Sequence, residues 1–577
     1  MTSLPFSAAR SERMDQSSAS THIPLATVQR RRLLLHWFLL LVWSSLCAAT
    51  LVANEQPNIL WITCEDMSPR LGCYGDRTVP TPNIDQLASE SVRYTRAFGV
   101  YGVCSPNRHT LILGMYPTST GAMAMRTWKR TAALDQIKDP KLLAIPTYEA
   151  TPPPQAHCFT EYLRASGYYC SNNVKTDYQF RDPITAWDES SSKAHWRNRP
   201  TPETPFFSVF NYTVTHESGT FKQRSPLVVD PSQVTLPPYY PERPLLRRDL
   251  ARHYDNIAVL DQQVGDLLKQ LREDNLLENT IIFFFSDHGD GLPRMKRWVY
   301  DSGIQVPLLV RYPDRHQGGT TNENLVSFVD FAPSVLSLAG IPVPKHMQGQ
   351  AFLGSQKTAA RKYIYAARDR MDPAPETIRA VRDKRFKYVR NYRTDLPYIG
   401  FIPYRDRAAG MKDLLQLIEQ QKLGPDQWQF SARKKPLEEL YDTQNDPHEI
   451  RNLASDPRHL EKLAELRSAH LTWTKETNDL GHLEETELVK KLWPPAGVQP
   501  TTASPIISLQ KSRRQGEPST ISIRCQTAGA SIAYRLSKSS RWLLYSKPFP
   551  VRGTDTISST AIRLGWKPSP TVEMKIK

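Results

Sequence analysis

The 577-residue sequence predicts an α/β protein built on a largely parallel sheet. Two observations carry that expectation. Three short apolar runs each lead into acids or a histidine. A long amphipathic helix lies between two of them. In sheets of this kind the functional groups collect beyond the carboxyl ends of the strands.

The first run, Asn58-Ile59-Leu60-Trp61-Ile62-Thr63, reads as a buried strand and ends in Cys64-Glu65-Asp66. Another, Phe206-Phe207-Ser208-Val209-Phe210-Asn211, leads to His216. The last, Thr280-Ile281-Ile282-Phe283-Phe284-Phe285, ends in Ser286-Asp287-His288-Gly289-Asp290. Between the last two, Leu250, Tyr254, Ile257, Leu260, Val264, Leu267 and Leu271 recur at steps of three or four, which predicts a helix.

Downstream the pattern changes. Residues 378–382 and 386–392 flank Asp383-Lys384-Arg385 and read as a hairpin, followed by a helix over about 457–474. We therefore expect a smaller antiparallel α+β subdomain over 376–490, after a catalytic α/β domain over 54–375. Proline-rich stretches at 139–154 and 226–244 read as loops, and 491–505 as a linker. Short β-type runs around 521–523, 531–534, 542–545 and 556–562 predict a small β-sandwich over 506–577.

Residues 1–53 are expected to be an N-terminal extension and signal peptide. Arg30, Arg31 and Arg32 precede an apolar stretch over 33–49, and Cys47-Ala48-Ala49 and Leu51-Val52-Ala53 offer small-residue cleavage sites. Met14 is an alternative start, and an uncleaved anchor is the alternative to export. After cleavage no membrane span is expected, and the mature protein is expected in the periplasm or outside the cell.

Apolar residues are 40% and charged residues 23%, enough to bury a core, so a mainly disordered chain is excluded. The net charge of +16 suits an anionic partner. No nucleic-acid motif and no block of five consecutive basic residues is present, so no nucleic acid is expected. Seven cysteines are too few for a disulfide framework. Setting aside Cys47 and Cys104, the remaining Cys64, Cys73, Cys158, Cys170 and Cys525 allow at most two intramolecular bridges.

Cys104-Ser105-Pro106-Asn107-Arg108 is the most informative segment. Pro106 favours a first helical turn. Arg108, four residues after Cys104, falls on the same helical face. The free amides of a helix start and the guanidinium both favour an oxyanion there. A buried structural cysteine beside a capping arginine is the alternative.

CSPNRHTLILG resembles the C-x-P-x-R signature of the type I, formylglycine-dependent sulfatases, of the alkaline-phosphatase-like superfamily. NILWITCED, TPNIDQLASESVRYTRAF, SDHGDGLPRMKRWVYDSGIQVPLLVRYP and ELYDTQNDPHEIRNLA resemble further family segments in order, across about 57–475. The wording of GLPRMKRW and NNVKTDYQF is similar to bacterial heparan N-sulfatase-like members. The resemblance implies an α/β/α sandwich. It also implies that a separate sulfatase-maturing enzyme oxidises Cys104 to formylglycine, whose hydrate is the nucleophile. One Ca²⁺ is implied on Glu65, Asp66, Asp287, His288 and residue 104. Glu65 departs from the usual aspartate, and His288 places an imidazole where an amide oxygen often sits.

By the same match Lys175, His216 and Lys296 contact sulfate and the leaving oxygen, with His216 or Lys296 as proton donor. The family pattern at 175 is commonly G-K-x-H, so Asp177 stands where a histidine is usual. It either takes the proton in the second step or serves as an ion-pair partner of Lys175. One hydroxyl of the hydrate attacks sulfur, an alcohol or amine departs, and the second hydroxyl then expels sulfate. The implied substrate is a sulfated glycan or other anionic small molecule. Two rivals stay open: a phosphate or phosphonate monoester hydrolase on the same fold, and a non-catalytic glycan-binding protein.

The last segment resembles the β-sandwich that ends some chitobiase and hexosaminidase-type enzymes, through ASIAYR (530–535), YSKPF (545–549) and GWKPS (565–569). It is read as a structural appendage, with Trp542 or Trp566 as the residues that would touch a glycan.

Overall fold

The computed structural model describes residues 56–576, apart from 128–136, 222–225, 513, 515–516, 538, 540 and 552–554. The expected signal segment and its cleavage sites lie outside the described residues. No helix among the described residues is long and apolar enough to cross a membrane.

Residues 57–577 form one compact unit around a nine-stranded sheet. Its strands are β1 (Asn58–Cys64), β2 (Val92–Phe98), β3 (Tyr169–Asn173), β4 (Glu189–Ser190), β5 (Phe206–Tyr212), β6 (Thr280–Ser286), β7 (Gln305–Arg311), β8 (Thr321–Asn322) and β9 (Val326–Ser327). The order is β4-β3-β5-β1-β6-β7-β2-β8, with β9 also on β2. Strands β3, β5, β1 and β6 run parallel, whereas β7 is antiparallel to both its neighbours. Cys64 lies level with Tyr212 on one side and Ser286 on the other. The segments after β1, β5 and β6 therefore leave the sheet at one edge, which is what brings distant residues together.

Burial on both faces explains why these strands are continuous apolar runs. Trp61, Phe207, Phe283 and Phe285 point to one face and pack with Phe331 and Phe159. Leu60, Ile62 and Phe284 point to the other, against the long helix Pro244–Glu273. That helix buries all seven residues of the predicted stripe.

A four-stranded antiparallel sheet follows: β10 (Ile364–Arg368), β11 (Ile378–Arg382), β12 (Phe386–Asn391) and β13 (Glu438–Asp442). The helix Leu460–Glu476 packs against it. The predicted hairpin is β11–β12, while β10 comes from upstream of residue 376.

The last segment is a sandwich. One sheet holds β14 (Ile506–Gln510), β15 (Ser519–Arg524) and β18 (Phe549–Val551). The other holds β16 (Ser531–Leu536), β17 (Leu543–Leu544), β19 (Thr556–Ile562) and β20 (Val572–Lys575). The stretch at 491–505, expected to be a linker, is packed rather than free. Trp493 is 5% exposed, and its Nε1 donates to Thr151 Oγ1 at 3.1 Å and to the Gly565 carbonyl at 3.0 Å. Proline content signalled the absence of regular structure there, not the absence of contacts.

Two glycines mark how closely the sandwich approaches the larger sheet's domain. Gly529 (φ 73°) and Gly565 (φ 80°) are left-handed. A Cβ at 529 would stand 1.9 Å from the Pro154 carbonyl oxygen, and one at 565 would stand 2.5 Å from that of Ala150. Gly529→Ala is therefore expected to destabilise the docking by about 1–3 kcal/mol. Limited proteolysis should then cut within 493–505 faster than in the parent protein; an unchanged rate would count against a tight interface.

The six cysteines of the described residues are all free, so none of the allowed bridges forms.

Candidate active site

Cys104 opens the helix Cys104–Leu113, all ten residues of which are buried. Asn107 fixes its start. Its Oδ1 accepts from the amides of Val100 and Tyr101 at 2.9 and 3.0 Å, and its Nδ2 donates to the Asp287 carbonyl at 2.7 Å. The signature helix is thereby tied to the segment after β6. Glycine is required at 102, where a Cβ would stand 2.3 Å from the Trp298 carbonyl oxygen.

Around the Cys104 sulfur stand Asp66, Asp287 and His288, all buried, with one ligand-type atom from each residue lying within 4.8 Å of the others. Cys104 Sγ is 3.3 Å from His288 Nε2, which is 3.0 Å from Asp66 Oδ1. His288 Nδ1 lies 2.8 Å from the Gly289 carbonyl, which can only accept, so Nδ1 carries a proton. Burial opposes charge on the ring, but Asp287 and Asp66 raise it well above the usual imidazole range, so Nε2 also carries a proton and faces the two carboxylates, where a bound cation would take that proton's place.

Glu65 stands outside this cluster, contrary to expectation. Its carboxylate pairs with Lys175 and accepts from Arg108 Nη2 at 3.1 Å. The left-handed turn at Asp66 (φ 54°), just past β1, aims the two consecutive acids at different groups. Asp66 Oδ2 accepts from Lys296 Nζ at 2.6 Å and from the Glu217 amide at 2.8 Å. Arg108 Nη1 donates to Asn211 Oδ1 at 2.7 Å, and its Nε is 3.4 Å from Asp287 Oδ2.

His216 is in hydrogen-bond reach of Cys104. Its Nδ1 accepts from the Ser218 amide at 3.3 Å, which leaves the proton of the neutral ring on Nε2. Glu217, next to His216, takes a bidentate pair from Arg297 at 2.7 and 2.9 Å and lies 3.1 Å from Lys296. Asp177, left-handed at φ 55°, faces Arg126 at 3.6 Å, so neither alternative weighed from the sequence includes the contact it makes. Lys175 is held by Glu65 instead.

Thus the structure gathers Cys104, Arg108, Lys175, His216, Lys296, Asp66, Asp287 and His288, and sequence reasoning missed Asn107, Arg126, Asn211, Glu217 and Arg297. Asn107 lay inside the signature, and Glu217 and Arg297 adjoined predicted residues. Arg126 and Asn211 carried no local signal.

The electrostatics favour an anion at position 104. Burial opposes ionisation of the Cys104 thiol, but Lys175, Lys296 and His288 outweigh it and hold the group well below the usual thiol range. Burial and then Cys104 push Asp287 up to about 7. Burial opposes the charge on Lys296 too, yet Asp66, Cys104 and Glu217 keep it raised above the usual lysine range.

The donor set fits a divalent cation. Asp66 Oδ1 and Asp287 Oδ2, both of cluster carboxylates, are buried with no well-formed hydrogen bond, facing only His288 Nε2 at 3.0 Å and Arg108 Nε at 3.4 Å. Buried carboxylate oxygens left unpartnered are costly unless a cation takes them.

An oxyanion pocket at a helix start, flanked by cations and by a metal-type cluster at the carboxyl edge of a mixed sheet, defines a hydrolase of anionic esters. The chain belongs to the sulfatase family, whose profile matches residues 57–341, followed by the N-sulphoglucosamine sulphohydrolase C-terminal profile over 294–423. It is 42% identical to an ulvan-active sulfatase of Formosa agariphila, over 91% of this chain and 92% of that protein. It is 25% identical to the N-sulphoglucosamine sulphohydrolase of Homo sapiens, over 75% and 93% of the two chains. In fold it matches BT4656, solved in complex with its substrate D-glucosamine-2-N,6-O-disulfate, over 74% of this chain and 98% of that one, with a TM-score of 0.53 and 17% identity. The protein is a sulfuric ester hydrolase with the alkaline-phosphatase-like fold, and membership of the family implies a formylglycine and a divalent metal.

Proposed function

We propose that this enzyme removes sulfate from a sulfated polysaccharide of the ulvan kind, using residue 104 as formylglycine and one Ca²⁺. The observation that carries the reading is the convergence of Asp66, Asp287 and His288 on Cys104 inside a ring of cations. The 42% identity to an ulvan-active sulfatase supports the substrate class.

Asp66, Asp287 and His288, with an oxygen at position 104, would hold the metal; two hard carboxylates suit Ca²⁺, although imidazole is a softer ligand. Bound there, the ion supplies positive charge to the sulfuryl oxygens. Oxidised to formylglycine, residue 104 supplies a hydroxyl nucleophile where the thiol now sits. Lys175 and Arg108, braced by Glu65 and Asn211, offset the charge of the sulfate group. His216 carries the proton of its neutral ring on Nε2 and donates it to the leaving oxygen; Lys296 is the second donor. Glu217 and Arg297 fix Lys296 without entering the chemistry.

Asp177 takes the proton in the second step, on this reading. Glu65 already braces Lys175, so Asp177 is not required for that task. Asp177→Asn should slow release of sulfate more than cleavage of the ester, with turnover falling about 100-fold or more. Stopped-flow with an aryl sulfate should then give a burst of the phenol before a slow steady state. Equal slowing of both steps, with no burst, would make Asp177 a structural partner of Arg126.

We place the mature enzyme outside the cytoplasm, because Arg30 to Arg32 and the apolar stretch after them read as an export signal and the substrate is a polymer. The test of the whole reading is sulfate release from ulvan oligosaccharides by ion chromatography, with aryl phosphate as the control. Sulfate release without phosphate release is expected; preference for the phosphate ester would overturn it.

A further inference from the structure

Outside the cluster at residue 104, one buried cation among the described residues has neither an ion pair nor a hydrogen-bond acceptor for two of its nitrogens. Arg368, the last residue of β10, is 2% exposed. Its Nε and Nη1 are buried without a hydrogen-bond partner, and no ion pair to it forms among the described residues. The guanidinium lies on the face of Trp298, with Cζ 3.7 Å from the ring centroid. Cation–π contact orients such a group but does not neutralise it. A charge left unpaired in the interior is costly, so it calls for a partner that arrives from outside.

There is room for one. Arg368 lines a cavity of about 430 Å³, together with Leu142, Pro375, Glu376, Leu396 and Phe401. That falls within the range of roughly 300–1,000 Å³ typical of small-ligand clefts. Lys138 and Asp139 also line it, and two further neighbouring charges are already matched. Glu376 pairs with Lys435 at 2.9 Å, and Arg405 pairs with Asp406 at 2.6 Å. Burial lowers Arg368 to about 10 against the pull of Glu376, and Arg405 and Arg297 add to the lowering. An added anion would offset the cost of burial and the repulsion from Arg405 and Arg297.

Arg368 packs on the segment that carries Lys296. Trp298, on which Arg368 lies, comes two residues after Lys296, and its backbone is what forces glycine at 102, two residues before Cys104. Phe401, 56% exposed, presents an apolar face at the rim.

We propose that this cavity receives the sugar unit beside the one that carries the scissile sulfate, and that Arg368 pairs there with an anionic substituent, a carboxylate or a second sulfate. The proposal rests on the sulfated-carbohydrate reading above. A guanidinium fork matches either group through paired N–H donors, and Phe401 offers a surface to the C–H face of the ring. Arg368 is thus a specificity-determining residue that never touches the sulfate being cleaved.

The experiment compares three substrates: ulvan oligosaccharides, the same oligosaccharides with uronic carboxyls reduced to alcohols, and 4-nitrophenyl sulfate. Arg368→Met should lower kcat/KM for the untreated oligosaccharide about 10- to 100-fold, mainly through KM, and leave the aryl sulfate unchanged. If the wild type also loses that factor on the reduced oligosaccharide, the partner is a carboxylate. If it does not, and Arg368→Met still loses it on both oligosaccharides, the partner is a second sulfate. Should Arg368→Met lose the aryl sulfate as well, Arg368→Lys, which keeps charge and stacking, is read in its place, with the same loss expected in smaller measure. Oligosaccharide kcat/KM within twofold of wild type in a variant that keeps its aryl sulfatase activity would overturn the proposal. A wild type that turns over the aryl sulfate but releases no sulfate from either oligosaccharide would sink the substrate reading, and the proposal with it.

Discussion

Cys104→Ala is expected to reduce turnover of any sulfate ester by roughly 10⁴-fold or more, because loss of a nucleophile removes the reaction path itself. The fold should survive. The side chain is small and buried, and the helix start is held by Asn107 rather than by the sulfur. The matching chemical observation is a mass. The tryptic peptide from Ala97 to Arg108 should be about 18 Da lighter than its thiol form after maturation, since an aldehyde oxygen replaces SH and one H. Full activity in the alanine variant, or a fully active preparation with an unmodified peptide, would end the formylglycine reading.

The second large effect is expected at Asp287. Asp287→Asn keeps the shape of the side chain, and the backbone carbonyl that receives Asn107 is unaltered. It removes one of two carboxylates from the cluster, so metal content by elemental analysis should fall from about one ion per chain towards zero. kcat should drop roughly 10³-fold, on the scale of several kcal/mol of Lewis-acid stabilisation. Asp66 is the less clean test, because it also holds Lys296 and the Glu217 amide. Retention of the metal with unchanged kcat in Asp287→Asn would remove Asp287 from the ligand set. Wild-type activity that persists in excess chelator, with no metal bound, would remove the ion from the mechanism.

Much of this arrangement could be read from the chain alone, for a physical reason. Strands β1, β5 and β6 are buried on both faces, so they are unbroken apolar runs, and the polar residues just past them mark the sheet's functional edge. The long helix declared itself through one apolar stripe. Strands β4, β8 and β9 hold two residues each, too few to show any period. The placement of Glu65 beside Lys175 has a different origin. Two acids in succession look alike in sequence, and only the turn after β1, where Asp66 adopts φ 54°, decides which of them faces Cys104 and which faces Lys175. Arg126 and Asn211 were invisible because their roles come from partners 51 and 103 positions away, Asp177 and Arg108. The docking of the last module was hidden in the same way, since Trp493 finds its partners at Thr151 and Gly565.

The burial of the signature helix sets an order of events in the life of the protein. Residue 104 is 1% exposed and none of the ten helix residues is open to solvent. On the proposed formylglycine reading, a maturing enzyme has to reach a sulfur that the finished fold buries. On that reading maturation competes with folding as a race in time: a chain that buries this helix before being oxidised would keep its thiol and lack the proposed nucleophile. The yield of active enzyme from any expression host should accordingly follow the ratio of two rates, oxidation of the nascent segment and burial of that helix, rather than the stability of the product.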